Sequence, residues 1–180
     1  MTGGSGKVAT HARTNRVVVL AVAVTAAAID LTAKAASEAR LADSTVDLGL
    51  IQLRLGYNSG VAFSMGDRLP VGVIVAITAA ISVALIAYAW RRAPYAGWVE
   101  RIAGGAVIGG AVANVVDRAR DGVVTDYLHT GWWPTFNLAD TFLVTGFIVI
   151  ALLHARPERT TDAPQPVEDR PATPAPTNEP

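Results

Sequence analysis

The stretch VVTDYLHTGWWPTFNLAD, residues 123–140, decides how this chain is interpreted. It carries two aspartates, Asp126 and Asp140, at the start of an apolar segment that continues to about residue 155. Carboxylates at the edge of a bilayer are costly, so they usually have a function. Two carboxylates on one site can activate water against a peptide bond without metal or thiol. Spacing alone leaves a second interpretation open, in which Asp126 is a loop residue and Asp140 caps a helix.

The composition around this stretch is that of a small membrane protein. Of the 180 residues 51% are hydrophobic, and the mean hydropathy is +0.35. A formal net charge of zero gives no electrostatic reason to expect nucleic acid as a partner. The chain has no cysteine, which excludes disulfides and thiolate chemistry. Because His11, His129 and His154 show no ligand spacing, we expect no metal and no cofactor.

Apolar segments predict four transmembrane helices, at about residues 17–36, 71–90, 98–116 and 136–155. The second segment has no charged residue over 20 positions. At about 1.5 Å rise per residue it would span a hydrocarbon core of about 30 Å. The expected fold is therefore an all-α membrane protein whose four-helix domain covers residues 16–155.

The charge distribution orients these spans. A leader at residues 1–15 and the connection between the second and third spans are rich in basic residues, which predicts that both termini are cytoplasmic. The loops at 37–70 and 117–135 then lie outside. The first span could instead be a cleaved signal peptide ending near Ala35, but three further spans favour its retention. Residues 156–180 are proline-rich and predict a disordered cytoplasmic tail.

The first outer loop is expected to contain short strands. VDLGLIQLRLGY, residues 46–57, alternates apolar and polar side chains, and the turn signal Asn58-Ser59-Gly60 follows directly. This pattern indicates a small extracytoplasmic β-rich region on the membrane surface.

Other polar residues within the spans follow helical spacing. Asp30 and Lys34 are four positions apart, which favours a structural ion pair at a helix end, with Lys34 reaching toward water. Asn114, Asp117 and Arg118 share one helix face, where Arg118 could hold a carboxylate or a substrate carbonyl and Asp117 could orient it. The alternative is that these residues cap a helix and face solvent.

The third span has a stripe of small residues. Gly105 and Gly109, with Gly104 and Gly110, let helices approach closely in lipid. This spacing predicts that the third span is central and lies against the fourth. Trp132 and Trp133 indicate an interfacial anchor, with the lining of a lipid-substrate entrance as the alternative.

Taken in order, five short motifs resemble those of the lipoprotein signal peptidases (type II signal peptidases), a family of integral-membrane aspartic peptidases. They are Asp30-Leu-Thr-Ala-Lys34, Asn58-Ser-Gly-Val-Ala-Phe-Ser64, Gly109-Gly-Ala-Val-Ala-Asn-Val-Val-Asp-Arg118, Gly122-Val-Val-Thr-Asp126-Tyr and Pro134-Thr-Phe-Asn137-Leu-Ala-Asp140. The resemblance covers about residues 16–155. It departs from the family at Leu31, where the family usually has glutamine.

The resemblance implies roles for individual residues. Asp126 and Asp140 correspond to the catalytic pair. The residues implied in substrate binding are Asn58, Gly60, Asn114, Arg118 and Asn137, and those implied as structural are Asp30, Lys34 and Asp117. It also implies a bacterial plasma-membrane enzyme, with its site near the extracytoplasmic face, that cleaves prolipoproteins before a diacylglyceryl-modified cysteine and is a target of globomycin. Membrane lipid is the further partner, and one chain carries everything needed, which favours a monomer.

A function of another class is a small transporter or assembly factor that uses Asp30 and Asp140 as a proton relay. Such a protein needs a continuous polar path through mid-membrane. The second span is nearly devoid of polar groups and the ionisable residues cluster near one edge, which favours the peptidase.

Overall fold

The computed structural model describes residues 4–59 and 70–155. The helices in this part are α1 (Gly4–Arg40), α2 (Val71–Arg92), α3 (Trp98–Asp121) and α4 (Leu138–His154). The strands are β1 (Thr45–Asp47), β2 (Gln52–Asn58) and β3 (Val124–His129). The predicted tail and Gly60 lie outside the described residues.

By length and composition, three of these helices can cross a membrane, over residues 13–40, 75–92 and 98–121. The 17-residue α4 is apolar but shorter. Two helices are longer than the predicted spans: α1 continues to Arg40 and α3 continues to Asp121. α3 extends beyond the predicted span through Asp117 and Arg118, which are buried in the protein, and it ends at Gly122, whose φ of 80° is left-handed.

The glycines of α3 make it the central helix of the bundle. A Cβ added at Gly109 would lie 2.5 Å from the carbonyl oxygen of Ala23 in α1. A Cβ at Gly110 would lie 2.5 Å from that of Ala139 in α4. Such approaches are open only to glycine. The predicted central position of this helix, against the fourth, is therefore confirmed.

Apolar packing completes the bundle on the other side of α3. Val19 and Ala23 of α1 share a buried cluster with Ala93 and Ile108. α2 packs against α3 at the margin of this cluster through Ile86 and Ala89. α3 thus packs against the other three helices.

The three strands form one antiparallel sheet in the order β1-β2-β3. β strands in the 37–70 loop were predicted and are confirmed. β3 was not predicted, because its partner β2 lies far away in sequence. Its signal was the run Val124, Thr125, Tyr127, which is rich in β-branched and aromatic residues. Pairing of β2 with β3 sets Asp126 opposite Gly56. We call the end of the bundle that carries this sheet the sheet end.

Candidate active site

The first turn of α4 positions Asp140. Asn137 is the N-cap, and its Oδ1 accepts a hydrogen bond of 2.9 Å from the backbone N–H of Asp140. The Asp140 carboxylate accepts in return from the backbone N–H of Asn137 at 3.4 Å. This reciprocal capping box fixes the carboxylate against the start of the helix. The interpretation of Asp140 as a helix cap is therefore correct, and it does not exclude a chemical role.

Asp126 reaches the same residue from β3. Nδ2 of Asn137 donates to Oδ1 of Asp126 at 2.7 Å, and the Asp126 side chain is 3% exposed. Asn137 therefore binds both aspartates, one through its side-chain amide and the other through its backbone N–H. The two carboxylates lie together at the sheet end, as the sequence predicted.

A second asparagine, Asn114 of α3, also binds the pair. Its Nδ2 donates to Oδ1 of Asp140 at 2.9 Å. Its Oδ1 accepts from Nζ of Lys34 at 2.7 Å and from Nδ2 of Asn137 at 3.3 Å. Hydrogen bonds thus run without a break from α1 through α3 to α4.

Lys34 lies in a buried cluster of opposite charges. Its Nζ is 2.9 Å from Oδ2 of Asp30 and 3.3 Å from Oδ2 of Asp117. The Lys34 and Asp117 side chains are 2% exposed, and Asp30 is fully buried. The predicted Asp30–Lys34 pair is present, but the expectation that Lys34 reaches toward water is wrong. The ammonium turns inward because two carboxylates and an amide oxygen compensate its burial.

The two acidic partners also anchor neighbouring backbone. Oδ1 of Asp30 accepts from the N–H of Ala139 at 2.9 Å, which ties α1 to the residue before Asp140. Oδ2 of Asp117 accepts from the N–H of Thr125 at 2.7 Å, which ties α3 to the residue before Asp126. Asp117 was expected to orient Arg118; its close contacts are Lys34 and Thr125 instead.

Arg118 and Asn58 lie at the edge of the pair. Arg118 is 7% exposed and interacts electrostatically with Asp126, Asp140 and Asp117. Its Nη1 is 3.5 Å from the hydroxyl of Thr78, a residue of α2 that sequence reasoning missed. Its Nε has no hydrogen-bond partner among the described residues. The Asn58 side chain hydrogen-bonds Asp126, so the structure brings both residues to the pair. Their role in substrate binding stays a prediction.

Burial governs the charge state of Asp126. It raises the pKa of Asp126, which the nearby charge of Asp140 raises further, to about 7. Hydrogen bonds from Asn137 and Asn58 oppose this rise. A carboxyl with such a pKa can hold a proton near neutral pH while its neighbour is ionised, which is the condition for paired acid and base roles.

Tyr127, the neighbour of Asp126 on β3, is a further residue that sequence reasoning missed. Its hydroxyl donates to Oδ1 of Asp30 at 3.3 Å and accepts from the N–H of Leu138 at 3.3 Å. Burial raises the pKa of Tyr127, so the hydroxyl remains a donor to the carboxylate. The signal in the sequence was an aromatic residue with a polar tip directly beside a candidate catalytic aspartate.

An apolar groove of about 410 Å³ opens beside Asp140. Trp132, Trp133 and Phe136 line one side, and Val144 of α4 lines the other. The Trp132 ring is 81% exposed and the Trp133 ring lies against it edge-on, with ring centroids 5.5 Å apart. Both remain open to contact with an apolar partner.

One group of three carboxylates in residues 4–59 and 70–155 has oxygen atoms close enough to hold a metal, namely Glu38, Asp117 and Asp121. Cations of the protein already engage all three. Arg120 contacts Glu38 at 2.9 Å and Asp121 at 2.6 Å, and Lys34 contacts Asp117. Their negative charge is thus compensated without an ion.

The fold has counterparts of known structure. Two solved bacterial membrane enzymes, both determined by the in meso method, superpose on the chain with TM-scores of 0.66 and 0.65. The first is 23% identical, with 77% of this chain and 93% of that chain covered. The second is 19% identical, with 76% and 86% covered. At these identities the likeness concerns the fold alone.

Similar sequences are lipoprotein signal peptidases. That of Syntrophomonas wolfei is 41% identical over 73 residues, covering 41% of this chain and 48% of that protein. The protein of Rhodococcus jostii is 37% identical over 111 residues, which cover 58% of this chain and 54% of that protein. The protein of Sinorhizobium fredii is 38% identical over 107 residues, which cover 57% of this chain and 64% of that protein. The chain thus spans about half to two thirds of the length of these curated relatives.

The family model of signal peptidase (SPase) II matches residues 22–156. This range begins within α1, ends just after α4 and contains every site residue described above. The chain therefore belongs to the signal peptidase II family.

Proposed function

We propose that this protein is a membrane aspartic endopeptidase that removes signal peptides from prolipoproteins, cleaving before a diacylglyceryl-modified cysteine. The observation that carries the proposal is the joint binding of Asp126 and Asp140 by Asn137, since it places a buried and a half-buried carboxylate on one residue. Membership of the family and the names of the relatives support the substrate class.

The mechanism uses one shared proton. The ionised carboxylate of the pair takes a proton from water as the water attacks the scissile carbonyl. The neutral carboxyl donates to the carbonyl oxygen, and the two exchange roles as the amine leaves. A pKa of about 7 for Asp126 supports this arrangement near neutral pH. The pair titrates as a unit, so either aspartate can begin as the base.

Other side chains orient the substrate. Arg118 presents a buried guanidinium whose Nε is unoccupied by other described residues, and a peptide carbonyl is a suitable acceptor for it. The groove at Trp132 and Trp133 is apolar and borders Asp140, which suits the lipid of the modified cysteine. In this proposal the sheet end faces the extracytoplasmic side, and both termini are cytoplasmic, as the basic residues indicate.

The test is cleavage of a lipidated prolipoprotein by purified protein in lipid. Asp126→Asn and Asp140→Asn should each lower kcat by at least about 10³-fold, because an amide can take neither acid nor base role. Asp43→Asn is the matched control, since this aspartate is exposed and lies in the connection between α1 and β1, outside the elements that carry the pair. Turnover near that of the control in either site variant would refute the assignment.

A second test separates the peptidase from a proton relay. Globomycin binding should weaken in Asp126→Asn and Asp140→Asn, whereas a relay has no reason to bind this peptide through them. The distribution of charge also favours the peptidase. The buried charged side chains of the described residues are Asp30, Lys34, Asp117, Arg118 and Asp126, and they share one set of contacts at the sheet end.

A further inference from the structure

Lys34 is a buried ammonium group that the mechanism above does not use. An ion pair serving stability alone would need only Asp30 or Asp117. Yet the shortest polar contact of Lys34, 2.7 Å, is to Oδ1 of Asn114. That amide is the one that donates to Asp140. Lys34 is therefore one amide group away from a carboxylate of the pair.

An ammonium group can only donate, which determines how Asn114 is oriented. With Oδ1 held by Lys34, the Nδ2 of Asn114 must face Asp140. Asn137 is oriented in the same sense, because its Oδ1 accepts from the backbone of Asp140 and its Nδ2 donates to Asp126 and to Asn114 Oδ1. Both carboxylates consequently meet N–H donors of these two asparagines.

We propose that Lys34 is a positioning residue for the Asp126–Asp140 pair, acting through the amide of Asn114. The inference rests on the proposed function of that pair. Without the ammonium, Oδ1 of Asn114 loses its 2.7 Å donor and keeps only the longer contact of 3.3 Å from Nδ2 of Asn137, so the amide is held less firmly. A turned amide would place its oxygen against the carboxylate of Asp140, which repels the ionised form and displaces the side chain.

The charge of Lys34 acts in the same direction. Burial sets the pKa of Asp126 high, and the positive charge of Lys34 opposes that rise. Removing the charge should move the titration of the pair to higher pH. This effect distinguishes a positioning role from a structural one, since a loss of packing does not shift a pH profile in a defined direction.

Lys34→Met tests the proposal in the lipid-reconstituted full chain. We expect kcat to fall about 100-fold, as for a displacement of about 1 Å at a reacting group, with KM changed less than about threefold. The pH profile of kcat should move up by about one unit. Infrared spectra recorded against pH should show the protonated carboxyl band of the pair persisting to higher pH by the same interval.

Asp30→Asn is the matched control. The amide that replaces the carboxylate has a single oxygen, which can accept in place either from Ala139 or from Lys34 but not from both. Lys34 keeps Asp117 and Asn114, so stability falls while the amide chain remains. We expect kcat within about threefold of wild type and no upward shift of the profile. If Lys34→Met does not fold, the charge-balanced Asp30→Asn/Lys34→Met is compared with Asp30→Asn alone.

The outcomes separate the two levels of proposal. An inactive Asp126→Asn together with a Lys34 variant that matches Asp30→Asn in kcat and pH profile overturns the positioning role and leaves the peptidase intact. An active Asp126→Asn overturns the pair itself. A low kcat with an upward-shifted profile and an upward-shifted carboxyl band supports the positioning role.

Discussion

Replacing Gly110 by alanine tests how tightly α3 determines the position of Asp140. A Cβ at Gly110 would lie 2.5 Å from the carbonyl oxygen of Ala139, the residue before Asp140, and 3.2 Å from Cγ of Leu143. The first contact is with backbone and cannot be relieved by turning a side chain. The start of α4 must therefore move away from α3.

The required movement follows from these distances. Reaching 3.0 Å from the Ala139 oxygen needs about 0.5 Å, and reaching an ordinary contact of 3.4 Å needs about 0.9 Å. Overpacking of this kind costs about 1–3 kcal/mol of stability. A shift of about 1 Å at a catalytic group can lower the reaction rate by about 100-fold, so we expect kcat to fall by about 10- to 100-fold.

The assay is prolipoprotein cleavage with thermal unfolding measured on the same samples, and the control lies on the same helix. A Cβ at Gly104 would meet only Cβ of Ala89, at 3.7 Å, so Gly104→Ala should gain up to about 1 kcal/mol in helix propensity and keep its activity. If Gly110→Ala matches Gly104→Ala in both kcat and unfolding temperature, the close approach does not position Asp140 and the reasoning is wrong.

Further predictions concern pH and individual contacts. The pKa of Asp126 is raised to about 7 in the folded state from 3.8 in the unfolded state, so protonation of Asp126 stabilises the fold at low pH. This contribution is lost as the pH rises toward 7. The unfolding temperature measured against pH should show the loss in wild type but not in Asp126→Asn. On the same basis kcat should decline as pH rises above about 7, where the shared proton leaves. Tyr127→Phe removes the hydroxyl that donates to Asp30 and should lower the free energy of unfolding by about 1–2 kcal/mol. An unchanged free energy of unfolding would contradict this prediction. Arg120→Gln breaks an ion pair with Glu38 whose side chains are 54% and 27% exposed, so the unfolding temperature should stay close to that of wild type.

Local sequence patterns predicted the helices well. Uninterrupted apolar runs and the glycine spacing of α3 depend on contacts that repeat every three or four residues, and the structure agrees with both. β3 could not be predicted in the same way, because Asp126 meets Gly56 only through a pairing between distant segments. The sequence also placed the end of α3 too early, at about residue 116. The polar residues that follow could equally lie in a solvent-exposed loop, and their buried partners are distant in sequence.

The site was predicted in its members but not in its connections. Asn137 and Asp140 stand at the spacing of a capping box, and the capping box forms. The direction of Lys34 was predicted wrongly, because the spacing from Asp30 indicates a pair without showing which way it faces. The decisive partners, Asn114 and Asp117, are about 80 residues further along the chain and become visible only in three dimensions.

The distribution of the site over the chain has a consequence for biosynthesis. Lys34 is made first, Asn114 follows on α3, Asp126 lies on the strand after it, and Asp140 arrives with α4, the last helix described. A nascent chain that has been made only as far as β3 carries one carboxylate of the pair and none of the capping box. Under the proposed function, the pair would therefore be complete only when the final helix docks, and incompletely inserted molecules would be inactive.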